Sequence, residues 1–147
     1  AVRRPELIDE LAAKYGSQFV VTAIDAKMDD HGTWHVTTHS GSRMTDRELF
    51  AWAHEAQERG AGEILFTSMN HDGTRHGYPC EVFARLSTSL SIPVIASGGA
   101  GSAEDIAQVL TEGHADAALA ASIFHYGEIT IGELKQYLKN KNINVRL

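Results

Sequence analysis

Cysteine is almost missing from this chain: Cys80 is the only one among 147 residues. That excludes an internal disulfide and makes a reducing cytosol (a cytoplasmic location) the expected home. No apolar run reaches the roughly 20 residues of a membrane-crossing helix, and the first residues show no charged-then-apolar leader pattern, so no membrane role is expected. Basic charge is scarce. Thirteen Lys and Arg stand against nineteen Asp and Glu, a formal net charge of -6, which argues against nucleic acid or an anionic membrane as partner. Signatures of familiar chemistry are also lacking. There is no nucleophile elbow and no Ser-His-Asp pattern. The histidines, with His35 and His39 four apart on one candidate strand and Asp29 and His31 nearby, fall short of the four placed ligands of a closed zinc site. Cys80 opens a candidate helix, where a thiol can be activated, but a small buried residue is the simpler reading. The chain starts Ala-Val-Arg-Arg, which suits a fragment, a processed product or an engineered piece.

What is present is a regular alternation of strands and helices. Its clearest unit is Pro93-Val-Ile-Ala-Ser-Gly-Gly-Ala-Gly-Ser102. Proline can open a strand, Val94-Ile95-Ala96 can form one, and Ser97-Gly98-Gly99-Ala100-Gly101 ends it. Ser102 followed by Glu104 and Asp105 is a helix start. A strand feeding a helix through such a turn is a candidate phosphate cradle, and equally a plain tight connection.

The other units follow in order. A helix is expected over 5–15, stopped by Gly16, and a strand over 19–25 whose apolar run suggests burial on both faces. Residues 26–45 form an excursion containing the alternating stretch 33–39, which reads as a short hairpin or an ordered functional loop. A helix follows over 46–59, capped by Thr45 or Asp46, with Leu49, Phe50, Ala53 and Ala56 buried. Further strands are expected at 63–68, 94–96 and 117–122, and further helices at 80–90, 103–112 and 131–140. A leading helix and four strand–helix units imply a parallel sheet in one domain spanning 1–147. At roughly 30 residues per unit this is half of a (β/α)8 barrel, with an open doubly wound sheet as the competing architecture.

All four strands end in polar groups: Asp25, Thr67-Ser68, Ser97-Gly98-Gly99 and Ser122. Ligands bind at that edge of parallel α/β sheets, although serines there can simply cap helices. Asp25, closing an apolar run, is the best candidate for acid–base work, with a helix cap or a pair with Lys27 as the plainer alternative. Strand alternation puts Glu63 on the face of Thr67 but at the opposite end, where a frayed, solvated strand start is the plain reading.

Taken together, Ala23-Ile-Asp-Ala-Lys27, Gly60-Ala-Gly-Glu-Ile-Leu-Phe-Thr-Ser68, Asp72-Gly-Thr74, Ile95-Ala-Ser-Gly-Gly-Ala-Gly101 and Ala115-Asp-Ala-Ala-Leu-Ala-Ala-Ser-Ile-Phe124 resemble the cyclase subunit of imidazole-glycerol-phosphate synthase, through to Asn144-Val-Arg-Leu147. The resemblance implies a (β/α)8 barrel of which this chain carries strands five to eight. It makes Asp25 a catalytic acid–base and Thr67 an active-site hydroxyl. Ser97, Gly98, Gly99, Ala121 and Ser122 become a phosphate clamp, and Asp72 and Gly73 a substrate-lining loop. Glu63 becomes one of a ring of charges past which ammonia enters from a glutaminase partner. The implied reaction joins ammonia to a phosphoribulosyl-formimino carboxamide ribotide, closes the ring to imidazole glycerol phosphate and releases aminoimidazole carboxamide ribotide, in histidine biosynthesis, without metal or organic cofactor. The family's second catalytic aspartate, on strand one, has no counterpart in these residues, nor does its other phosphate site. A complementary half barrel, or a second copy of this chain, is therefore the expected partner. The alternatives are the sister ribotide isomerase and a non-catalytic phosphate-binding half barrel that self-associates.

Overall fold

The computed structural model describes residues 1–146. Its centre is one sheet of six strands: β1 (Val21–Met28), β2 (Trp34–Thr38), β3 (Arg43–Glu48), β4 (Glu63–Ser68), β5 (Val94–Ser97) and β6 (Ala117–Ala118). Around it lie α1 (Glu6–Tyr15), α2 (Leu49–Glu58), α3 (Cys80–Ser89), α4 (Ala103–Thr111), α5 (Ser122–His125) and α6 (Ile131–Asn140). The spatial order is β3-β2-β1-β4-β5-β6. The run β1-β4-β5-β6 is parallel and keeps chain order, while β2 and β3 form an antiparallel extension. A doubly wound sheet would reverse its strand order and carry helices on both faces. Here the order turns back at β1 only because β2 and β3 are an antiparallel hairpin; the parallel strands β1, β4, β5 and β6 run in one direction, and their buried side chains lie on one face.

Register divides the parallel strands into two faces. Thr22, Ile24 and Ala26 of β1 are buried, as are Ile64, Phe66 and Ser68 of β4 and Val94 and Ala96 of β5. They join Ile8, Trp52, Phe83, Leu86, Ile106 and Val109 from the helices in one core. Phe66 is its aromatic hub, 5.0 Å from Phe83 and 5.7 Å edge-on to Trp34 between ring centroids. The alternate residues make the other face: Val21 beside Glu63, Ala23 beside Leu65 and Ile95, Asp25 beside Thr67 and Ser97. That face is largely bare, and Val21 is 49% exposed. The expectation that β1 is buried on both faces is thus corrected, because nothing in the described chain packs against its second side.

Several boundaries also differ from the sequence expectation. Residues 17–19 form a 3-10 turn, and β1 runs on past Asp25 to Met28 because Ala26, Lys27 and Met28 pair with Val36, His35 and Trp34. The excursion extends to Glu48, whose own side chain, rather than Thr45 or Asp46, caps α2 by accepting from the Ala51 N–H. The strand expected at 117–122 shrinks to Ala117–Ala118, and Ser122 begins α5 instead of ending a strand. By contrast the β4 bounds and the α6 bounds agree with the sequence reading, as does the Ser102 cap, which accepts from the Asp105 N–H. No described helix is long and apolar enough to cross a membrane.

Candidate functional site

The polar edge of the bare face is built by register. Asp25 lies opposite Thr67, and Thr67 opposite Ser97. Neighbouring strands are about 4.8 Å apart, so the row from Asp25 to Ser97 spans roughly 10 Å. Leu119 extends it, its N–H donating to the Ala96 carbonyl at 2.7 Å. Asp25 and Thr67 are half-buried and Ser97 is buried. The hairpin braces the start of the row, since Thr37 Oγ1 donates to the Asp25 carbonyl at 3.1 Å. Glu63 sits on the same face at the other end of β4, beside Val21, and makes no ion pair among the described residues.

Beyond Ser97 the chain turns through Gly98 and Gly99, at φ 86° and 126°. A Cβ on Gly99 would lie 2.2 Å from the Gly77 carbonyl oxygen, and one on Gly98 2.7 Å from that of Ser68. Glycine is therefore required twice over, by backbone angle and by close approach. The β4–α3 loop docks on this turn, with the Gly77 N–H donating to the Gly99 carbonyl at 2.9 Å. Tyr78 fastens the same loop to the far strand: its hydroxyl donates to the Leu119 carbonyl at 2.7 Å, and burial pushes its pKa up. Between these segments lies a cleft of about 150 Å³. Asp72, Gly73, Ser97, Gly98, Gly99, Ala121 and Ser122 all line it. Whole-ligand pockets run to about 300 Å³ or more, so this cleft suits one terminal group of a ligand.

Larger hollows lie elsewhere, two of them bordered by the hairpin or by α6. One of about 470 Å³ sits between the hairpin and α3, and one of about 520 Å³ between α4, α6 and residues 143–145. Neither gathers the strand-end row. Cys80 lines the first, where burial raises its thiol pKa and so holds it in the unreactive form. His71, also there, accepts from or donates to Ser68 Oγ at 2.8 Å, and burial, with His76 adding to it, lowers its pKa.

The histidine and aspartate group near the hairpin has a structural task. Asp29 Oδ1 accepts from the backbone N–H groups of His31 and Thr33, and Oδ2 pairs with His35 Nε2 at 3.1 Å. Those bonds, led by the one from Thr33, lower the Asp29 pKa. No cluster of three or more metal-binding side chains occurs among the described residues.

Sequence reasoning missed Arg75. It lines the cleft as its one cation and carries φ 62°, and its guanidinium pairs with Glu128 from the loop after α5. The available signal was a lone positive charge three residues after Asp72, inside a stretch read only as a turn.

Comparison with known proteins shows the family. The family model described as histidine biosynthesis protein matches residues 1–130. A Bacteroides fragilis (strain YCH46) protein named imidazole glycerol phosphate synthase subunit HisF is 58% identical over 146 residues, covering 99% of this chain and 58% of the relative. Proteins of the same name from Chlorobium phaeobacteroides and Symbiobacterium thermophilum are 58% and 54% identical, covering 100% and 99% of this chain and 58% of each relative. The chain thus spans less than two thirds of the curated relatives it matches. A parallel sheet in chain order, polar groups aligned at its C-terminal edge and a match through residue 130 lead to one assignment: this chain belongs to the histidine biosynthesis protein family.

Proposed function

We propose that residues 1–147 form a single half-barrel domain, the last four βα units of an imidazole-glycerol-phosphate synthase cyclase, with β1, β4, β5 and β6 as barrel strands five to eight. The observation that carries this is the row Asp25, Thr67, Ser97 on an uncovered sheet face, running into a glycine-walled cleft. In a closed barrel that face becomes the interior and that row the floor of the active site. The bare apolar positions Val21, Leu65 and Leu119 then acquire packing partners from a complementary set of units.

In this reading the phosphate of the ribotide sits in the cleft, held by backbone N–H groups of Gly98, Gly99, Ala121 and Ser122 and by Ser97, with Asp72 and Gly73 at its rim. The rest of the substrate lies along the row. Anchoring one end pre-positions the reacting centre beside Asp25, replacing a bimolecular encounter by an oriented one. The Asp25 carboxylate takes a proton as ammonia adds to the substrate's ketone carbon, whose oxygen leaves as water, and returns it as the new nitrogen closes the ring on the formimino carbon and aminoimidazole carboxamide ribotide is expelled; Thr67 hydrogen-bonds the substrate beside it. Its counterpart carboxylate acts from the complementary half. Glu63, at the opposite end of the same face, lies where ammonia enters from a glutaminase subunit. No metal or organic cofactor takes part, because proton transfer and positioning suffice. Ring closure also requires the reacting atoms to leave bulk water, which the bare face alone does not provide.

The test is complementation. This chain is mixed with the first four βα units of the Bacteroides fragilis relative, and ring closure is assayed with free ammonia. Turnover that appears only in the mixture supports the reading. A mixture that forms a complex yet turns nothing over, with Asp25 intact, refutes it.

A further inference from the structure

We infer that Arg75 is a second, side-chain arm of the phosphate cleft, and that its pair with Glu128 is the resting position of that arm. The inference rests on the phosphate reading of the cleft given above and adds to it a charge-bearing specificity residue. Three observations carry it. First, Arg75 lines the cleft together with Gly98, Gly99 and Ser122, and it is the cation there. Second, its backbone is anchored by packing, while its tip is held only by one exposed pair. A Cβ on Gly101 would fall 2.2 Å from the Arg75 carbonyl oxygen and 3.0 Å from the Arg75 Cβ, so the loop is pressed onto the turn at this residue. The bend before it is closed by Thr74, whose N–H donates to the His71 carbonyl at 3.0 Å and whose hydroxyl donates to it at 2.8 Å. Third, the guanidinium pairs with Glu128, and the two side chains are 42% and 37% exposed.

An exposed Arg–carboxylate pair is worth little in water. A phosphate dianion brings more charge and three acceptor oxygens to the same planar fork, which it can meet bidentately. Swinging from Glu128 to phosphate exchanges a weak internal pair for a stronger one without moving the root of the side chain. Glu128 then has two effects. It keeps Arg75 extended near the cleft, and it competes with the ligand for the guanidinium. The selected ligand class is a phosphate monoester, because a neutral or singly charged end group gains too little to displace Glu128.

The experiment is calorimetric titration of the 147-residue chain and its variants with ribose 5-phosphate, with ribose as the uncharged control. Arg75→Gln should weaken ribose 5-phosphate binding about tenfold or more. Arg75→Lys should recover part of that loss. Glu128→Gln, which frees the arm, should tighten binding several-fold, an outcome a purely structural pair would not give. Both positions are exposed, and far-UV circular dichroism checks that each variant is folded. If the unaltered chain binds ribose 5-phosphate no better than ribose, the phosphate reading of the cleft itself fails. If the unaltered chain binds it well and both Arg75→Gln and Glu128→Gln leave affinity unchanged, the cleft stands and the role of Arg75 is overturned.

Discussion

One sheet presents two faces that obey different rules. Ile24, Ile64, Phe66 and Ala96 lie under helices and are at most 1% exposed. One residue along each strand, Val21, Leu65 and Ile95 look the other way, onto no described element, and Leu119 beyond them is 45% exposed. Both faces carry apolar residues, so hydrophobicity alone does not separate them. The strand ends differ more: the bare face closes in Asp25, Thr67 and Ser97, all polar, while the covered face closes in Ala26, Ser68 and Ala96, of which only Ser68 is polar and is paired with His71. The covered face holds the chain together, and the bare face lines up Asp25, Thr67 and Ser97.

Substitutions should therefore split by face. The largest effect is expected from Phe66→Ala, which empties the aromatic hub and should cost about 3–5 kcal/mol in denaturant unfolding. Leu65→Ala, its neighbour on the bare face, should cost about 1 kcal/mol or less at concentrations where the chain is monomeric. Equal costs would mean that the bare face is packed after all.

Asp25→Asn should reverse the pattern. In the complemented enzyme, turnover should fall by about 10²-fold or more, because the amide keeps the shape but moves no proton. Unfolding of the same variant should change by only about 0.5 kcal/mol. Near-normal turnover would remove Asp25 from the chemistry.

Gly99→Asp comes next. It places bulk within 2.2 Å of the Gly77 carbonyl oxygen and adds a negative charge to the cradle. Ribose 5-phosphate affinity should drop beyond detection by calorimetry, whereas Gly132→Ala, in α6 with ordinary backbone angles and its nearest neighbour 4.0 Å from the added Cβ, should bind as before. Similar affinities for the two variants would locate the phosphate elsewhere.

The smallest effect concerns pH. Burial lowers the His71 pKa below its usual 6.5. The unfolded chain therefore takes up the proton first as pH falls. The stability contribution is whole above about pH 6.5 and is lost as pH drops through the lowered folded value. His71→Gln should flatten that part of the stability curve. An unchanged slope would assign it to other groups.

Much of this arrangement is legible in the amino-acid sequence, and the exceptions share a cause. The β4 and α6 bounds can be read because their signals are local: strict alternation in one, and in the other a capping box in which Thr130 and Glu133 bond reciprocally. The polar ends of β4 and β5, Thr67-Ser68 and Ser97, are legible too, whereas Asp25 lies three residues inside β1 and Ser122 opens α5. β3 is not legible, because Arg43–Glu48 is a polar segment whose strand character comes from pairing with β2. Neither is the bare face. An apolar run such as Val20–Ile24 is equally suited to a strand between two helical layers and to a barrel wall, and the run itself does not reveal which neighbour the chain brings. Arg75 stays hidden because its place depends on Gly101, 26 residues away, lacking a side chain.

The edges of the sheet extend the same contrast. The outer edge strand, β3, carries Arg43, Asp46, Arg47 and Glu48, charges of the kind that discourage further pairing. β2 pairs with β1 only at Ala26–Met28 and reaches Asp25 only through the Thr37 hydroxyl, so among the described residues Val21–Ile24 has no strand beside it on that side and none lies beyond β6. Two copies related by a two-fold axis would pair both edges and cover both bare faces at once. Burying that apolar area gains about 25 cal/mol per Å². Light scattering on the purified 147-residue chain at micromolar concentration is the most direct measurement. The expected result is a mass above the 16.0 kDa of one chain, with an unfolding midpoint that rises with concentration. A stable 16.0 kDa species, unfolding cooperatively at a midpoint independent of concentration, would show that the face is not an unfinished interior and would contradict the half-barrel reading.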